Sequence, residues 1–226
     1  MEPGVRAGLT WQPSLLGDGP VAPEPAFGSL RRIELDEHSW VDYAPGWLAG
    51  EDALFEELLR VGRWRQREVR MYDRTLPEPR LTAGWGRRVG ALPDPGADSA
   101  SDPGADLTVL PPALRDLVEP LCARYGVRFD SVWVNLYRDG RDSVAWHGDR
   151  NAKVQTNPLV VTVSLGARRR FLLRRKGTSS TTVALEPGHG DLVVMGGACQ
   201  HEWEHTVPKT TRPVGPRMSV TIRHSR

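Results

Sequence analysis

The sequence predicts a mostly β fold flanked by helices, a sandwich or barrel rather than a parallel sheet. Three observations carry this. Segments 131–138, 159–165, 170–174, 181–185, 191–195 and 217–223 each read as a short strand bounded by Gly, Pro or Asn. No helical pattern separates them, whereas a parallel sheet needs a crossover between successive strands. A content of 23 Gly and 19 Pro in 226 residues favours turns over long helices.

Residues 1–30 are rich in Pro and Gly and without periodicity, so they read as a loose N-terminal arm. Leu48, Phe55, Leu58 and Leu59 predict a short amphipathic helix over 48–60. The stretch 90–106 repeats Asp-Pro-Gly-Ala-Asp at 94–98 and 102–106 and reads as a loop; its acids lack calcium-ligand spacing. Leu114, Leu117, Val118, Leu121 and Cys122 fall at i, i+3, i+4, i+7 and i+8, which predicts a second helix over 111–125 despite Pro120. Residues 159–163 are almost wholly apolar, as a strand covered on both faces should be. The expected organisation is an extension, 31–125, and a β core, 126–226, packed together as one compact domain.

Composition excludes some classes. No apolar run approaches the ~18 residues of a membrane span. No basic start followed by an apolar run marks a secretory signal. Cys122 and Cys199 cannot build a disulfide framework, and a reducing, cytoplasmic location is expected. Net charge is +2, yet only Lys153, Lys176 and Lys209 are lysines among 30 basic residues. Arginine forks suit phosphates and carboxylates, although GC-rich coding gives the same count.

Four motifs carry candidate chemistry. His147-Gly-Asp149 would place an imidazole and a carboxylate on one face of a strand, and one more distant His would complete a two-His-one-carboxylate iron site with three open positions. For the triplet alone, a surface hydrogen-bonded pair is the default reading. In 217–223, Met218, Val220 and Ile222 share one face, and Arg217, Ser219, Thr221 and Arg223 the other. The polar face is either solvated or turned into a barrel mouth towards an anion. Six residues of strand span about 20 Å, so the two arginines reach one small ligand only if they lean inward or the strand curls. In 132–137, Trp133, Asn135 and Tyr137 oppose an apolar face, as ligand donors or as a solvent-facing edge. His201-Glu-Trp-Glu-His205 spells H-E-x-x-H, but Gly196-Gly197 and Pro208 flank it, so the helix that a zinc hydrolase needs is not expected.

Taken together, Asn135-Leu-Tyr137-Arg-Asp-Gly140, His147-Gly-Asp149, Ser164-Leu-Gly166, Gly190-Asp-Leu-Val-Val-Met195, His205-x-Val-Pro208 and Arg217…Arg223, preceded by Pro79-Arg-Leu-Thr82 and Trp85-Gly86, resemble the AlkB family of Fe(II)/2-oxoglutarate dioxygenases, in order, over about residues 40–226. The likeness is greatest to its branch active on single-stranded nucleic acid. The resemblance implies a double-stranded β-helix (jelly roll). It makes His147, Asp149 and His205 the Fe(II) ligands and His201 a bystander. Arg217 would pair with the distal carboxylate of 2-oxoglutarate, Arg223 would sit near its C1 end, and Asn135 and Tyr137 would hydrogen-bond it. His38, His189 and His224 carry no role beyond surface or core.

The implied reaction is oxidative dealkylation of bases in DNA or RNA by O2 and 2-oxoglutarate, a DNA-repair chemistry that releases succinate, CO2 and aldehyde. The base must leave its stack, which calls for an aromatic or apolar clamp. Within 31–125, Trp85 with Arg80 matches the family's lesion pocket, although a Trp packed under a loop reads equally well; Tyr72 and Trp146 are weaker candidates. The basic run from Arg168, Arg169 and Arg170 to Arg174, Arg175 and Lys176 holds no acid and reads as a hairpin that tracks a phosphate backbone. One departure stands out: Asn151 occupies the place where the family's repair members usually have an acid against the lesion. The expected partner is single-stranded DNA or RNA more than duplex, bound by a monomer with no membrane contact. The alternatives are a catalytically silent nucleic-acid-binding jelly roll, a dioxygenase acting on a non-nucleic substrate, and last the zinc hydrolase.

Overall fold

The computed structural model describes residues 9–13, 19–71, 74–86, 110–149 and 156–224. The 90–106 repeat, Tyr72 and Asn151 lie outside them. The elements run β1 (Ala22–Pro23), β2 (Arg31–Glu34), β3 (Ser39–Ala44), β4 (Leu48–Ala49), α1 (Glu51–Val61), β5 (Glu68–Met71), β6 (Arg74–Pro77), β7 (Leu81–Gly86) and α2 (Pro112–Tyr125). Then follow β8 (Ser131–Tyr137), β9 (Val144–His147), β10 (Val160–Gly166), β11 (Phe171–Arg175), β12 (Val183–Leu185), β13 (Leu192–Gly197), α3 (Cys199–Glu202), β14 (Trp203–Val207) and β15 (Arg217–Arg223). Both expected helices and all six expected strands form. Leu48 belongs to a two-residue bridge rather than to α1, because Gly50, left-handed at φ 68°, turns the chain before the helix starts.

The large sheet has the order β2-β3-β13-β10-β15-β8-β7, and the small one β12-β11-β14-β9; the named pairs in both are antiparallel. Two such layers of crossing connections are the arrangement of a jelly roll. The large sheet draws strands from both sides of residue 126. Apolar β10 lies near its middle and is buried along its length up to Leu165, as its composition requires.

Alternation divides the large sheet into two faces. Val132, Val134 and Leu136 of β8, Val161 and Val163 of β10, and Met218, Val220 and Ile222 of β15 form one core with Leu54, Phe55 and Leu58 of α1 and Leu114, Leu117 and Leu121 of α2. A second core lies between the sheets around Tyr137, Phe171, Leu173, Val193 and Trp203. The polar positions of β8 and β15 therefore look into the roll rather than to solvent. No described helix is long and apolar enough to cross a membrane.

The described parts of the first thirty residues are not loose. Trp11 stacks on Phe55 at 3.8 Å between centroids, β1 pairs with β4, and Phe27 is buried against Trp47. Aromatic area decides this, outweighing the Pro and Gly content.

Candidate functional site

His147 ends β9, and antiparallel pairing sets it directly opposite His205 of β14. Their ring centroids stand 4.2 Å apart. Asp149 follows two residues later, with Oδ2 4.0 Å from His205 Nε2. The three side chains thus converge from β14, from the end of β9 and from the segment just past it. Among the described residues no three His, Cys, Asp or Glu are drawn together closely enough to hold an ion as they stand. Two ligand atoms of one ion lie roughly 3 Å apart, so binding would need a further contraction of about an ångström between His205 and Asp149.

Their surroundings fix orientation. His147 donates from Nδ1 to the Ala145 carbonyl at 2.8 Å, so Nε2 is the nitrogen left for the site. Asp149 accepts at Oδ1 from Arg223 Nη2 at 2.5 Å, and its backbone N–H donates to Gln200 Oε1. Burial, then the neighbouring His147, pushes the His205 imidazole down to about 3. Burial would raise the Asp149 carboxyl, but Arg223, His205 and His147 together hold it below its ordinary value. Neutral imidazole and ionised carboxylate are the forms that bind a cation.

Along the inner face of β8 and β15, Tyr137 pairs with Arg217, Asn135 with Ser219, Trp133 with Thr221 and Ser131 with Arg223. Arg217 is fully buried. Its Nε donates to Ser164 Oγ at 3.1 Å and its Nη1 to Ser219 Oγ at 2.6 Å, while Nη2 meets no acceptor among the described residues. Burial pushes this guanidinium down to about 10; Tyr137, 5.4 Å from ring centroid to Cζ, acts the other way. A buried cation held by hydroxyls, with no carboxylate against it among the described residues, is a costly arrangement that an anionic ligand would relieve. The two arginines do not meet at one small group: Arg223 turns to Asp149 and Arg217 to the far end.

Other expected site residues fall elsewhere. Arg80 donates from Nε to Asn135 Oδ1 at 3.3 Å and pairs with Glu78 at 3.0 Å, so it abuts the inner face with its fork engaged. Trp85 pairs with Val132 and packs on the helix-side core, the face opposite Asn135. The signal was present in the sequence, since Leu81, Ala83 and Trp85 alternate as an apolar face. The aromatic opposite Gly84, on the inner face, is Trp133. Trp146 also takes an outer face, its ring 4.2 Å beneath the Arg174 guanidinium.

The basic run is one strand, β11, not a hairpin, and much of it is neutralised. Arg169 is buried and donates to the Asp139, Asp142 and Pro208 carbonyls, which removes it from any phosphate-facing surface. Arg174 pairs with Glu204, Arg175 with Asp36 and Glu202, and Lys176 donates to the Gln200 and His201 carbonyls. Arg168 and Arg170 remain exposed, Arg168 with a bond to the Glu186 carbonyl. The H-E-x-x-H string breaks as expected: His201 sits in the four-residue α3 facing the Thr156 carbonyl, and His205 lies on β14. His189 pairs with Asp52, and buried His224 accepts from the Leu159 N–H.

The model of the 2OG-Fe(II) oxygenase superfamily matches residues 41–223. "Alpha-ketoglutarate-dependent dioxygenase alkB homolog 3" of Bos taurus is 34% identical over 195 residues, 82% of this chain and 66% of its own. The Homo sapiens protein of that name is 33% identical, over 79% of this chain and 64% of its own. "DNA oxidative demethylase ALKBH2" of Arabidopsis thaliana is 27% identical over 86% of this chain and 69% of its own. The chain therefore spans just under two thirds of the first two relatives. The solved structure of OsALKBH1 superposes with a TM-score of 0.57 at 15% identity, over 86% of this chain and 100% of that one, which is a likeness of fold.

Proposed function

Because this chain belongs to the AlkB family of the 2OG-Fe(II) oxygenase superfamily, we propose that it removes alkyl groups oxidatively from bases of nucleic acid, using Fe(II), 2-oxoglutarate and O2. The observation that carries the reading is Arg217: a fully buried guanidinium whose Nη2 has no hydrogen-bond partner and which has no acidic partner among the described residues, on the same inner face as Asn135 and Tyr137. A dicarboxylate supplies the missing charge, with one end on Arg217 and the other towards Asp149 and the two imidazoles.

His147, Asp149 and His205 would hold the iron. When bound, iron with 2-oxoglutarate and O2 supplies oxidation of an N-alkyl carbon, with succinate, CO2 and aldehyde as products. The chain's own residues do the positioning. Arg223 holds one Asp149 oxygen and leaves the other towards His205. Ser164 and Ser219 aim the Arg217 fork. Phe171, stacked 5.3 Å from His205, excludes water on the small-sheet side. Single-stranded nucleic acid is the favoured substrate form: relatives at 33% and 34% identity are named alkB homolog 3, the sequence motifs point to the same branch, and a single strand presents its bases without unpairing.

The test is aldehyde release from single-stranded oligonucleotides carrying different N-methylated bases, with Fe(II) and 2-oxoglutarate supplied. Release that requires both supports the reading. Succinate formation with no aldehyde from any oligonucleotide removes the nucleic-acid substrate, and no 2-oxoglutarate turnover at all removes the enzyme.

A further inference from the structure

Trp133 and Trp146 are the two tryptophans outside both apolar cores. Five others pack on the helix-side core, Trp203 lies in the core between the sheets, and Trp146 sits under Arg174. Trp133 belongs to neither core and is only half-buried. It stands on the inner face of β8, two residues from Asn135, across from Thr221 of β15 and Gly84 of β7. The Arg223 that grips Asp149 is one diagonal step along that face.

Gly84 explains how the indole is seated. A Cβ there would fall 2.4 Å from Trp133 Cε3 and 2.6 Å from Cζ3, closer than carbon atoms approach. The ring therefore lies across β7 backbone that carries no side chain. The Arg67 guanidinium stands over the ring, 5.8 Å from its centroid, and brings positive charge to it. An indole supported by glycine, outside the apolar cores and next to a cation, is built to receive a flat group attached to an anion. A nucleotide is such a ligand: its base stacks, and its phosphate meets the arginine.

We propose that Trp133, not Trp85, is the platform on which the substrate base stacks, with Gly84 keeping its seat clear and Arg67 serving the adjoining phosphate. The proposal rests on the nucleic-acid reading above and names the residue that selects a base within it.

The experiment measures KM separately for an alkylated single-stranded oligonucleotide and for 2-oxoglutarate. Trp133→Ala should raise the oligonucleotide KM roughly tenfold or more, the size of a lost stacking contact, with the 2-oxoglutarate KM moving less than about twofold. Trp133→Phe, which keeps a ring, should recover most of the loss. Gly84→Ala leaves the indole chemistry intact but displaces it, so it should raise the oligonucleotide KM in the same direction; this variant stands in should Trp133→Ala fold poorly. Trp146→Phe, on the outer face, should change neither constant. A wild-type enzyme that releases aldehyde, with Trp133→Ala or Gly84→Ala showing an unchanged oligonucleotide KM, overturns the platform and leaves the nucleic-acid reading standing. A wild-type enzyme that releases none overturns that reading and the platform with it.

Discussion

Arg223 and Asp149 are joined by a 2.5 Å hydrogen bond from Nη2 to Oδ1, and the other carboxylate oxygen faces His205 Nε2 at 4.0 Å. Two strands of the large sheet and the small one are tied at that bond, because β15 supplies the guanidinium and the residue just past β9 supplies the carboxylate. Arg223→Met should free Asp149 to rotate. Metal affinity, read by titration of Mn(II) under electron paramagnetic resonance, should fall about 10- to 100-fold, the usual loss when the partner of a ligand is removed. Unchanged affinity would show that the bond does not orient the carboxylate.

Arg217 offers a test in which stability and binding move in opposite directions. Its charge is buried without a carboxylate among the described residues, so Arg217→Met should leave the ligand-free melting temperature equal or higher. Wild type should gain thermal stability with added 2-oxoglutarate, and the variant should gain none, since only a ligand that binds the native state shifts the melt. A variant still stabilised by the dicarboxylate would place its anchor elsewhere.

His147→Ala should abolish succinate formation, because the imidazole opposite His205 is then missing from the converging set. Undiminished turnover would remove the iron-ligand assignment.

Salt dependence measures which arginines face the strand. Arg168 and Arg170 are exposed, whereas Arg174 is paired with Glu204. Replacing Arg168 and Arg170 by Gln should flatten the plot of log affinity against log salt by about 1.4, at ~0.7 per phosphate on a single strand. Arg174→Gln should leave the slope unaltered. Equal effects from both would restore the unbroken basic ribbon.

Cys199 is buried, and burial pushes its thiol up to about 12. At pH 8 only about one molecule in 10,000 then carries the thiolate that alkylating reagents need. Iodoacetamide at that pH should spare Cys199 in the folded protein and modify it after denaturation, as mass spectrometry of the peptides would show. Rapid labelling of the native protein would contradict its burial.

Much of this protein was legible in sequence because alternation is a local property. The apolar faces of β8 and β15, the wholly apolar β10, the period of α2 and the Gly-rich turns follow from side-chain order along the chain, and they imply which positions face inward together. Even the choice at β7 was written in Leu81, Ala83 and Trp85. Pairing between segments distant in sequence was not. Only the register of β7 on β8 sets Gly84 beneath Trp133, and only β9 against β14 brings His147 to His205. A run of arginines cannot say which of them folds inward, because carbonyls from three separate positions draw Arg169 into the interior while its neighbours stay in water. Local order fixes the face of each strand. Which face meets which depends on long-range burial and hydrogen bonding, and those exist only once the sheets have closed.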